Sequence, residues 1–217
     1  MSLPALIVFD LDGTLVDSLR DLAESANELL AACGCAPHPE AAIGRMVGEG
    51  AATLVARAFA AAGAMPPPDA LERFLAIYDA RPLRHTRPYT GVPELLTKLA
   101  DASTLAVLTN KPLAATRAIL AGLELLPFFG ARVLGGDGPL PRKPDPAGLL
   151  SHIEPRTTAA DTVMVGDSPV DLRTARAAGA KGCVARYGFG AAAFTNDELE
   201  KSDYIIRKPL ELLSALL

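Results

Sequence analysis

The 217-residue chain has no tryptophan, three cysteines, three histidines and only 5% aromatic residues. Cys33, Cys35 and Cys183 are an odd set, and Cys33-Gly34-Cys35 lacks the CxxC spacing of a zinc or redox motif. A disulfide framework is therefore not expected, and the thiols read as buried or idle in a reducing cytoplasm. No apolar run reaches the roughly 18 residues of a membrane span, and the first is broken early by Asp10 and Asp12. Basic charge is scarce as well. The 21 Lys and Arg are outnumbered by 25 Asp and Glu, for a net charge of -4, so no electrostatic footprint for nucleic acid or anionic lipid exists. A GxxxxGK[ST] phosphate loop is also missing. These absences leave a small soluble molecule as the expected partner.

What is present is enough apolar material for a core, at 50% hydrophobic and 21% charged residues. Short continuous apolar runs at 5–9, 104–109 and 162–166 read as strands buried on both faces, with weaker copies at 182–185 and 204–206. Helical stretches at 92–102, 113–123 and 169–178 separate most of them. Strands alternating with helices imply a parallel sheet covered on both sides. Between Ser18 and Arg81 the alternation stops. Only helical segments appear there, near 18–33, 39–47, 51–63 and 68–80, so a four-helix insertion is expected directly after the first strand. The expected class is α/β, a doubly wound, Rossmann-like parallel sheet with an inserted α-helical cap. Residues 1–16 and 88–217 form the core and 17–87 the cap, hinged at 15–20 and 81–91.

In open parallel sheets ligands bind at the carboxyl ends of the strands, and polar residues gather there. Asp10 and Asp12 follow the first strand, Thr109 and Asn110 end the second, Gly166-Asp167 end the strand 162–166, and Lys143 lies in a loop before it. Asp10 and Asp12 are two apart, so an extended backbone aims both to one side, and Gly13 permits a sharp turn. Several carboxylates side by side need a proton or a cation, and an all-oxygen set without His or Cys suits magnesium.

These residues resemble four ordered motifs of the haloacid dehalogenase-like hydrolase superfamily: Asp10-x-Asp12-Gly13-Thr14-Leu15-x-Asp17-Ser18, Thr109-Asn110, Lys143-Pro144 and Gly166-Asp167-Ser168-x-x-Asp171. The inserted helices are similar to its helical-cap class, and the chain looks most like the phosphoglycolate phosphatase-like group. The resemblance implies that Asp10 attacks phosphorus to give an aspartyl phosphate, and that Asp12 serves as acid and then base. Magnesium would be held by Asp10, the Asp12 carbonyl and Asp167, with Asp171 as a further or water-mediated ligand. Thr109, the Asn110 N–H and Lys143 would hold the phosphoryl oxygens. From the cap, Arg45 and the Gly48-Glu49-Gly50 turn are candidates to read the leaving group, because the turn opens a helix with free N–H groups.

Plainer readings compete at some positions. Ser18 and Asp21 have the spacing of a helix-start box, with Asp17 at the helix's positive end. Ser168-Pro169-Val170-Asp171 reads as an N-cap, a first-turn proline and an acid at the third position. His38, His85 and His152 are expected to be structural. The reading that follows is a magnesium-dependent phosphatase acting on a small phosphate monoester, 2-phosphoglycolate first, in a monomer or homodimer. A sugar phosphomutase and a non-catalytic phosphate-binding protein are the alternatives. A dehalogenase has no need of an acid at Asp12.

Overall fold

The computed structural model describes residues 3–155 and 157–217. Met1 and Ser2, counted with the core above, and Arg156 lie outside the described residues. Among the described residues there are eight strands. They are β1 (Leu6–Phe9), β2 (Val16–Asp17), β3 (Arg87–Pro88), β4 (Thr104–Leu108), β5 (Val133–Leu134), β6 (Thr162–Gly166), β7 (Lys181–Ala185) and β8 (Tyr204–Ile206). Six of them make one sheet in the order β5-β4-β1-β6-β7-β8, with every neighbouring pair parallel. The short pair β2 and β3 is antiparallel and joins Val16 to Pro88 and Asp17 to Arg87.

β1 is central because all four of its residues are apolar and can be buried on both faces. Successive side chains point to opposite sides of a strand. Leu6 and Val8 accordingly pack with Leu149 of α8 (Ala147–Leu150) and Ala175 of α9 (Pro169–Ala178). Ile7 and Phe9 join the larger cluster, which includes Leu95 and Leu96 of α5 (Val92–Ala100), Ile119 of α6 (Leu113–Gly122) and Phe129 of α7 (Leu126–Phe129). The shorter helices α10 (Asn196–Glu200) and α11 (Glu211–Leu216) flank β8 in sequence.

Between β2 and β3 run α1 (Leu19–Ala32), α2 (Glu40–Gly44), α3 (Ala51–Ala61) and α4 (Ala70–Asp79). Their buried faces include Leu22, Leu29, Leu30, Ile43, Leu54, Phe59, Phe74 and Tyr78, continuous with the cluster under the sheet. From β1 the chain goes by way of these helices to β4 and β5 on one side, then crosses to β6 on the other. The reversal opens a crevice at the carboxyl end of β1, where such folds bind ligands.

Candidate active site

Asp10 is the first residue past β1, and its Oδ1 accepts the Leu11 N–H at 2.7 Å. Leu11 turns fully into the core, so Asp12 comes back to the same side as Asp10. Both carboxylates line one cavity of about 50 Å³. Gly13 has φ +83°, and a Cβ there would lie 2.0 Å from Asp167 Oδ2. Only glycine lets this turn close on the end of β6. Gly13→Ala is expected to lower stability by at least about 1 kcal/mol, read as a lower urea midpoint at unchanged slope.

Asp10, Asp167 and Asp171 each place a carboxylate oxygen within 4.8 Å of the others, and all three are buried. One ammonium serves two of them, with Lys143 Nζ 2.6 Å from Asp171 Oδ1 and 2.9 Å from Asp10 Oδ1. Burial pushes Asp10 up to about 6 even against the pull of Lys143. Burial also holds Asp167 well above the usual carboxylate range, with Asp171 and Asp10 adding to the rise. For Lys143 burial works downward, and the carboxylates of Asp10 and Asp171 outweigh it and raise the group. The cluster is short of positive charge. Buried all-oxygen donors that outnumber their one ammonium fit a hard divalent ion such as magnesium.

Asp171 divides its oxygens between two structural partners. Its Oδ2 accepts from Ser168 N–H at 3.0 Å and Ser168 Oγ at 2.7 Å, closing the first turn of α9, while Oδ1 faces Lys143. The helix-start reading of Ser168 and Asp171 therefore holds. Asp10 and Asp167 are left as the carboxylates with the most capacity for an ion. Asp167 Oδ2 accepts one backbone hydrogen bond, from Gly190 N–H at 2.7 Å.

Thr109 and Asn110 sit just past β4 and line the same cavity as Asp10 and Asp12. The Asn110 side-chain amide donates to Gly48 O and to Lys143 O, each at 3.0 Å, so it ties the inserted helices to the loop that carries Lys143. Gly48 and Gly50 line the cavity too. Arg45 and Glu49 do not. They line a neighbouring cleft with Arg57, Ser168 and Arg173, and Glu49 pairs with Arg57 at 2.5 Å. Arg45 is thus placed away from Asp10 and Asp12 because α2 ends with that side chain on its outer, exposed side.

The helix-start box expected for Ser18 and Asp21 is not formed. Ser18 Oγ instead donates to Asp12 Oδ1 at 2.6 Å. Asp21 is fully buried and accepts from the His85 N–H, the Thr86 N–H and Thr86 Oγ1 at 2.7–3.0 Å. Three donors from the segment just before β3 satisfy a buried carboxylate better than one helix-end N–H, and they fasten the two connections together. Asp17 does act at the helix start, where its Oδ1 accepts from Leu19 N–H at 3.2 Å. His38 has a structural role, its Nε2 lying 2.8 Å from Ala58 O.

Two features of the site have no counterpart in the sequence reading. Lys111 is buried against Asp12 and Tyr78, and the only hint was its place directly after Thr109-Asn110. The second is the loop after β7, in which a Cβ on Gly188 would meet Gly13 O at 2.1 Å and Tyr187 Oη donates to Thr14 O at 2.9 Å. Two glycines flanking Phe189 at another strand's carboxyl end were its signal.

The chain and its fold are similar to those of known proteins. Residues 7–185 match the profile of haloacid dehalogenase-like hydrolases. A phosphoglycolate phosphatase of Rhodospirillum rubrum is 44% identical, with 94% of this chain and 91% of that protein covered. One from Caulobacter vibrioides is 39% identical over 85% of this chain and 80% of its own. The crystal structure of a phosphoglycolate phosphatase predicted in Haemophilus somnus superposes with a TM-score of 0.87 at 30% identity, covering 99% of this chain and 98% of that one. The chain belongs to the haloacid dehalogenase-like hydrolase family, in its phosphoglycolate phosphatase-like group.

Proposed function

We propose that this phosphoric monoester hydrolase acts on a small organic phosphate, 2-phosphoglycolate first, through an aspartyl-phosphate intermediate on Asp10. The observation that carries the reading is the buried group of Asp10, Asp167 and Asp171, with the Lys143 ammonium between Asp10 and Asp171 and with Asp10 also lining a small cavity. Residues 17–87 act in this reading as a cap over the core of 1–16 and 88–217, hinged where β2 pairs with β3.

Asp10 attacks phosphorus and forms a new P–O bond as the bond to the leaving oxygen breaks. Asp12 delivers a proton to that oxygen, then takes one from the water that attacks the phosphoaspartate, releasing orthophosphate and restoring Asp10. Lys143, Thr109 and the Asn110 N–H hold the phosphoryl oxygens as charge shifts among them. Asp10, Asp167 and the Asp12 carbonyl would hold magnesium, which when bound neutralises phosphoryl charge and orients the ester. Asp171 holds Lys143 in place. Unaided phosphate monoester hydrolysis is so slow that all these effects are needed, since they must together lower the barrier by on the order of 20 kcal/mol.

The raised Asp10 carboxyl makes the metal dependence a pH dependence. Its folded value of about 6 exceeds the ordinary 3.8, so between those values the metal-free folded protein holds a proton that the unfolded chain has released. That contribution to stability is complete below about pH 4 and is lost as the pH rises through about 6. An ion bound by the deprotonated site replaces the proton. The rise in Tm caused by magnesium is therefore expected to be larger above about pH 7 than near pH 5, and a rise independent of pH would argue against binding at Asp10.

A phosphate-release screen tests the activity, run with magnesium and with EDTA over 2-phosphoglycolate, hexose phosphates and nucleoside monophosphates. Release that needs magnesium and is fastest on 2-phosphoglycolate is expected. Conversion of a hexose 1-phosphate to its 6-phosphate without phosphate release would favour the mutase, and no release from any ester would leave a binding protein.

A further inference from the structure

Lys111 has a buried ammonium, with 6% of the side chain exposed. It lies 3.1 Å from Asp12 Oδ2, 2.9 Å from Tyr78 Oη and 4.2 Å from the centre of the Tyr78 ring. The cavity it faces is walled largely by apolar groups, among them Leu22, Val47, Leu54 and Phe74, and is also lined by the carboxylates of Asp10, Asp12 and Asp79. Among the described residues lining that cavity, Lys111 is the one cation. Lys143 is engaged elsewhere, between Asp10 and Asp171. In this structure its charge is met by Asp12, the residue that in the proposed mechanism must face the ester oxygen, so a second anion is needed beside the desolvated ammonium when substrate binds.

Distance narrows the partner. In the proposed mechanism the ester oxygen must come within about 3 Å of Asp12 to receive its proton. Lys111 touches the same carboxylate, so an anion bound to Lys111 lies only a few ångströms from that oxygen. A carboxylate on the carbon that bears the phosphate has this separation, and one further along a chain lies farther from that oxygen. Tyr78 completes the match. Burial keeps its phenol protonated, and because its oxygen accepts from Lys111, its own hydrogen remains for a second carboxylate oxygen.

We propose that Lys111, from the core, and Tyr78, from α4, together form the leaving-group subsite and select phosphate esters of 2-hydroxy acids. The inference rests on the phosphatase reading and deepens it by assigning substrate class to two residues. On binding, Lys111 turns from Asp12 to the substrate carboxylate, which leaves the Asp12 side chain to face the ester oxygen. Because Tyr78 belongs to α4, the subsite is whole only when the inserted helices are closed over the sheet.

Kinetics with 2-phosphoglycolate and with ethyl phosphate, in which a methyl group replaces the carboxylate, test this. Wild type should prefer 2-phosphoglycolate, and Lys111→Met should reduce the ratio of the two kcat/KM values by on the order of 100-fold, chiefly through KM for 2-phosphoglycolate. Tyr78→Phe should reduce it by about 10-fold, and Lys111→Arg should restore part of the preference. In an Asp10→Asn background, calorimetric binding of 2-phosphoglycolate should weaken with Lys111→Met by a similar factor. That measurement needs no turnover. An unchanged ratio in Lys111→Met, or a wild type that hydrolyses ethyl phosphate as well as 2-phosphoglycolate, overturns the subsite while leaving the phosphatase standing. A wild type inactive on every ester overturns both.

Discussion

Asp10→Asn is expected to lower kcat by about 10⁴-fold or more while leaving the fold intact. The carboxamide has the same shape, and its oxygen can still accept the Leu11 N–H that Asp10 Oδ1 accepts at 2.7 Å. It cannot attack phosphorus as an anion. It also removes a buried charge whose proton affinity burial had raised to about 6, so the metal-free variant should be no less stable than wild type near neutral pH. Single-turnover rates and urea midpoints separate the two effects. Near wild-type turnover in a purified, magnesium-supplied assay would remove Asp10 from the nucleophile's role.

Lys143→Met is expected to damage both stability and activity. Without the ammonium, Asp10 and Asp171 face each other in a buried site with no cation within 3 Å of either, where Lys143 Nζ now lies at 2.9 and 2.6 Å. Breaking such a pair from one side costs about 3–5 kcal/mol, and losing a fixed charge on the phosphoryl group costs about 10²–10³ in kcat. If the cause is the uncompensated charge, Asp171→Asn added to Lys143→Met should recover part of the stability and none of the activity. A single variant as stable as wild type in urea would show that the cluster is held by other groups.

Most of the candidate site could be read from the sequence because each motif ends an apolar strand. A buried strand has a fixed direction and the parallel sheet gathers all carboxyl ends at one edge, so Asp10, Thr109 and Asp167 come together whatever the details of packing. Residues whose partners come from other elements could not be read in this way. Lys111 meets Tyr78, 33 residues earlier, and Asp12, 99 residues earlier, and nothing in its neighbours distinguishes it from a solvated lysine. Ser18 and Asp21 had the spacing of a helix-start box. Their side chains found stronger partners in Asp12 and the His85-Thr86 backbone, which local spacing cannot foresee. Arg45 and Glu49 were legible as charged residues near a turn, but which side of α2 and α3 faces the sheet depends on how four helices pack. The short pair β2 and β3 escaped notice for a similar reason, since two residues carry no periodicity.

Among the contacts between the inserted helices and the candidate site are Asn110 with Gly48 and Lys111 with Tyr78. Both contacts join a strand-end residue of β4 to the helices between β2 and β3, so opening would release the substrate and admit water in one movement. The central claim nevertheless rests on Asp10. Rapid quenching of a single turnover with 2-phosphoglycolate, followed by mass spectrometry of the peptides, tests it most directly. The account predicts a transient phosphoryl group on the peptide that contains Asp10, absent from Asp10→Asn and discharged by water. Turnover with no phosphorylated peptide, or with the phosphoryl group on another residue, would contradict it.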